Sequence, residues 1–159
     1  MKQSFSFKPA EWIPFRDMEV LERCRNMTRE EMENFPHPNP EYKVKVVTDP
    51  NSAVAGELFM RLKKSDEEDT RLVVIFPNSW KNIYKAVTES CNRFNVSCRN
   101  LHAFCMDEWA DSEGNVAPIT YGPSLGGAFL REFYMNLRED LRPPFEQIHV
   151  FTNENVKHY

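Results

Sequence analysis

Two carboxylates stand side by side where an apolar run ends: Asp107 and Glu108 follow the segment 101–106, and Trp109 follows them. If 101–106 is a strand, an acid at its carboxyl end sits in a partly desolvated cleft, where it can abstract or shuttle a proton. The same position equally suits a carboxylate that caps the next turn or pairs with a basic side chain. A second candidate is Pro77-Asn78-Ser79-Trp80-Lys81-Asn82, which joins an apolar run to a helical pattern. The amides and dipole at a helix start attract phosphate, and Ser79 and Lys81 carry suitable side chains. The loop has no glycine, so close backbone approach to an anion is harder, and an ordinary connecting turn is the alternative. The third is Gly122-Pro123-Ser124-Leu125-Gly126-Gly127. Ser124 reads as a helix cap, and paired glycines inside a helical pattern signal tight packing or close ligand approach. A dinucleotide loop would instead follow the first strand.

The remaining reactive residue types are scattered. His37, His102, His149 and His158 read as structural, and no Ser-His-Asp or Cys-His arrangement can be assembled from their spacing. Cys24, Cys91, Cys98 and Cys105 form no Cys-x-x-Cys pair and have no histidine cluster beside them. Neither a metal nor another cofactor is expected, and the cysteines read as reduced thiols. Lys and Arg number 20 against 24 Asp and Glu, a net charge of −4. Nothing in that balance draws the chain to nucleic acid or to an anionic membrane, although a local basic pocket for a small anion remains compatible with it. No apolar run approaches the ~20 residues of a membrane span. The lysine near the start is not followed by an apolar stretch, so no signal peptide is read and a cytoplasmic location is expected.

These candidates need a scaffold, and 159 residues with 41% hydrophobic side chains suffice for one globular core. Pro36, Pro38 and Pro40 break the pattern and set off residues 1–40 as a helical arm and proline-rich linker. The arm predicts a helix over 17–26 and a turn from Thr28, where Thr28 and Glu31 have capping-box spacing. Trp12, Ile13 and Phe15 are expected to pack the arm onto the domain rather than to bind a partner. From 41 onward the period changes. Residues 42–47 alternate like a strand. Asp49-Pro50 opens a helix with Val54, Leu58 and Leu62 on one face. Residues 72–76 read as a strand covered on both faces. A helix carrying Ile83, Val87 and Cys91 follows, then a strand over 101–106, a helix over 124–137 and a strand over 147–151. Strands alternating with helices imply an α/β, doubly wound, largely parallel, Rossmann-like sheet. Ligands bind at the carboxyl ends of such strands, where the Pro77 loop and Asp107 both lie.

At this point residues 72–151 resemble the N-terminal half of the glucosamine-6-phosphate deaminase/isomerase family, whose phosphosugar-isomerase fold is shared with the 6-phosphogluconolactonases. Phe104-Cys105-Met106-Asp107-Glu108-Trp109 is similar to the family strand that ends in Met-Asp-Glu-Tyr, and Tyr84-Lys85-Ala86-Val87 to the helix after its phosphate loop. The family loop Pro-Thr-Gly-Gly-Thr-Pro is here Pro77 to Asn82, and the motif tyrosine is Trp109. The resemblance implies conversion of an amino sugar phosphate by aldose–ketose isomerisation with ammonia release, without a cofactor. Asp107 would be the acid/base, Glu108 its supporting neighbour, and Asn78, Ser79 and Lys81 the phosphate contacts. A small-molecule sugar phosphate is the expected partner, together with further copies of the chain as a homo-oligomer. Family members run on into a Gly-rich loop with Asp and His, then a Glu. Residues 41–159 are therefore expected to be the N-terminal portion of a truncated domain, inactive by itself. A sugar-phosphate-binding domain without turnover and a lactonase-like hydrolase are the alternatives.

Overall fold

The computed structural model describes residues 9–77 and 80–159. They group into two compact units, Met1–Thr48 and Asp49–Tyr159.

In the first unit, Asp17 caps α1 (Met18–Asn26) by accepting from the Glu19 and Val20 amides. Thr28 and Glu31 form the expected capping box of α2 (Arg29–Glu33). Trp12 and Phe15 are exposed. Residues 42–47 alternate but form no strand. The Val46 amide donates instead to the Glu33 carboxylate at 3.1 Å. Alternation specifies a strand only where a neighbouring edge takes up the backbone groups.

The second unit carries the sheet. Asp49 caps α3 (Pro50–Glu67), with Pro50 at its first position, and buries Ala55, Leu58 and Leu62. Then follow β1 (Leu72–Phe76), α4 (Lys81–Phe94), β2 (Leu101–Cys105), α5 (Leu125–Glu132) and β3 (Ile148–His149). The sheet is parallel in the order β1-β2-β3, with Phe76 opposite Cys105 and Ala103 opposite Ile148. This is an α/β architecture with a small open sheet.

One face of that sheet holds the core. Phe76, Leu101, Ala103, Cys105 and Ile148 pack with Leu62 of α3, Val87 and Cys91 of α4 and Phe129 of α5. The rings of Phe76, Tyr84, Phe129 and Phe133 meet at centroid distances of 5.0–5.9 Å. On the opposite face Val73 is 57% and Ile75 63% exposed, which corrects the reading of β1 as covered on both faces. The strand order explains it. Both crossovers step the same way across the sheet, so right-handed connections carry α4 and α5 over one face. Phe104 and His149 share the other face and stack at 4.0 Å. The Tyr159 hydroxyl donates there to the His149 carbonyl at 2.5 Å.

Two elements are shorter than their patterns. α5 ends at Glu132, and the chain tightens into a 3-10 turn over Tyr134–Asn136. β3 ends at His149 because Asn155 takes the backbone that would extend it: its side chain donates to the Val150 carbonyl and accepts from the Thr152 amide.

Candidate active site

The register of the sheet fixes what meets at its carboxyl edge. Phe76 pairs with Cys105, and the Met106 amide donates to the Phe76 carbonyl at 3.0 Å. The chain segments that begin at Pro77 and Asp107 thus leave neighbouring strands side by side, about 5 Å apart. Asp107 is exposed there. Asn78 and Ser79 lie outside the described residues. Lys81 is the first residue of α4 and is exposed. Tyr84, one turn later, is buried, and its hydroxyl donates to the Pro77 carbonyl at 2.5 Å, which ties the loop to the helix. Burial pushes that phenol above its ordinary value, so it stays protonated.

Glu108 is placed differently. Its carboxylate accepts from the Trp109 and Leu125 amides on one oxygen, both at 2.9 Å. The other oxygen accepts from the Ser124 hydroxyl at 2.8 Å and the Gly126 amide at 2.9 Å. Ser124 in turn accepts from the Gly127 amide. The two side chains together cap α5, and the negative charge lies against the positive end of the helix dipole. Burial pushes the Glu108 carboxyl up, but these four donors outweigh it and hold it below the ordinary carboxylate value.

The paired glycines are explained by the same junction. A Cβ on Gly127 would collide with the Ile119 carbonyl oxygen, and one on Gly126 would lie 3.1 Å from Val150. Of the two meanings open to Gly126-Gly127, tight packing is therefore observed. Cys105, just below Asp107, has its thiol pushed up to about 12 by burial and by the charges of Glu108 and Asp107. It is no nucleophile near neutral pH. Cys91 and Cys98 are also buried, and Cys24 is exposed, all as free thiols. Among the described residues, no group of three or more His, Cys, Asp or Glu could hold a metal ion. No helix among them is long and apolar enough to cross a membrane.

No family model matches the chain, and no curated protein matches it. The ends of β1 and β2 bring Pro77 and Asp107 to the same edge, while Glu108 turns to the start of α5. One feature was absent from the sequence reading: residues 109–117 form a hairpin bridged antiparallel at Ala110 and Val116. Its signal was the turn composition Asp111-Ser112-Glu113-Gly114-Asn115, in which Gly114 adopts a φ of 84°.

Proposed function

We propose that this chain handles a hexose phosphate, foremost an amino sugar phosphate, in the manner of the glucosamine-6-phosphate deaminase/isomerase family. In this reading Asp107 moves a proton between carbons one and two of the open-chain sugar. The observation that carries the proposal is the place of Asp107, exposed at the carboxyl end of β2 beside the end of β1. Glu108, its neighbour in sequence, caps α5. Lys81 supports the phosphate end of the site. It stands in the first turn of α4, whose N-cap Trp80 supplies no side-chain capping bond, so cation and helix dipole act together on an anion. Asn78 and Ser79 complete the cradle by resemblance. The parallel sheet belongs, in this proposal, to a doubly wound, Rossmann-like domain of a cytoplasmic homo-oligomer.

The glycine-free loop favours a second reading, a sugar-phosphate-binding domain without turnover. Glucosamine 6-phosphate added to the protein in deuterium oxide separates the two. Binding with exchange of the proton on carbon two supports the acid/base role. Asp107→Asn should then slow exchange by about 100-fold or more while binding persists. Ammonia release is not expected from this chain by itself, so the decision lies in exchange: binding without exchange favours the second reading, and absence of any binding overturns both.

A further inference from the structure

The hairpin after Glu108 walls a cleft that the sugar-phosphate reading leaves unused. The Ala117 amide donates to the Trp109 carbonyl at 2.8 Å, and the Asp111 amide to the Asn115 carbonyl at 3.0 Å. The cleft holds ≈ 620 Å³ between Trp109, Asp111, Pro118, Tyr121 and Pro123, within the range of small-molecule sites. Its two rings are half exposed, Trp109 at 56% and Tyr121 at 50%. Trp109 is held in place, because its indole N–H donates to the Pro123 carbonyl at 3.0 Å.

Charge selects the occupant. Asp111 carries the only charge among the described residues that line the cleft. From Asn100 to Leu130 the chain has the carboxylates Asp107, Glu108, Asp111 and Glu113 and no Lys or Arg. Arg131 follows in α5, and its guanidinium donates to the Gly122 carbonyl. The lining itself therefore offers an anion no counter-charge. Asp111 accepts from the Glu113 amide, the Asn115 amide and the Asn115 side chain. These donors, the Asn115 side chain foremost, hold its carboxyl below the ordinary value, so the carboxylate stays charged beside the cleft. Aromatic faces beside a carboxylate attract an organic cation through the ring quadrupole and the counter-charge together.

We propose that this cleft binds an organic ammonium group, seated against Trp109 and Tyr121 with Asp111 as its counter-ion. The site is independent of the Asp107 chemistry. The test follows the Trp109 indole N–H resonance of the 159-residue chain by NMR, assigned through Trp109→Phe. Choline and tetramethylammonium are titrated at constant ionic strength, beside the neutral choline analogue with carbon in place of nitrogen, glucose and inorganic phosphate. A saturable shift is expected with the two cations alone. Tyr121→Leu should weaken it about two- to five-fold, the size of an exposed cation–π contact. No saturable shift, or equal binding of the neutral analogue, overturns the proposal, as does preference for glucose or phosphate. The comparison of cation with neutral analogue uses the unaltered chain, so it holds even where a variant fails to fold.

Discussion

The carboxylate of Glu108 receives four hydrogen bonds, from three backbone amides and one hydroxyl. Replacing it by glutamine exchanges one acceptor oxygen for an NH₂ that faces N–H donors. Glu108→Gln should therefore destabilise the fold by about 2 kcal/mol, as expected for losing bonds to a charged group, measured by denaturant unfolding. The pH dependence has a definite sign. The folded carboxyl lies below its ordinary value of 4.5. Its contribution is fully present above that value and fades as pH falls through the lower folded one. Unaltered protein should lose stability below about pH 4.5 more steeply than Glu108→Gln. Equal stability of the two proteins at neutral pH would remove the capping role and return Glu108 to the list of groups free for chemistry.

At the scale of elements, α5 owes its seat to two missing side chains. Gly127→Ala gains helix propensity of about 1 kcal/mol, but its Cβ would meet the Ile119 backbone oxygen, which cannot swing away. The net effect should be a loss of about 1–3 kcal/mol. Gly126→Ala meets the end of the Val150 side chain and should cost less. Equal unfolding midpoints for the two would contradict that packing. The sequence marked this glycine pair through its cost in a helix, but not which of its two causes applied, because the obstructing carbonyl lies eight residues upstream of Gly127. α1, α3 and α4 and the cores of β1 and β2 were legible because caps and apolar spacing are local. The strand expected over 42–47 was not, since pairing needs a neighbour that alternation does not encode. Asp107 and Glu108 were legible as a pair. Their separate fates depend on Ser124 to Gly126, which only the fold brings to Glu108.

The molecule as a whole presents an α/β unit whose sheet ends on an apolar strand. Leu72–Phe76 has no charge and no proline, and β1 stands at one end of the strand order. Natural edge strands usually carry such guards against pairing with another chain. Val73 and Ile75 add exposed side chains on the face that the helices do not cover. Self-association is the expected consequence, by edge pairing or by burial of that face. Sedimentation velocity over rising concentration should show reversible growth of a larger species. Val73→Lys combined with Ile75→Lys places charge on the exposed face of the strand and should shift the distribution to monomer. Stability should change by less than about 1 kcal/mol, because both side chains already face solvent. In contrast, Phe76→Ala removes a ring from the centre of the aromatic cluster and should cost about 3–5 kcal/mol. If the unaltered chain sediments as a monomer at every concentration, the strand is guarded by some other means and the homo-oligomer is excluded. If the lysine variant associates as strongly, the contact lies elsewhere on the molecule.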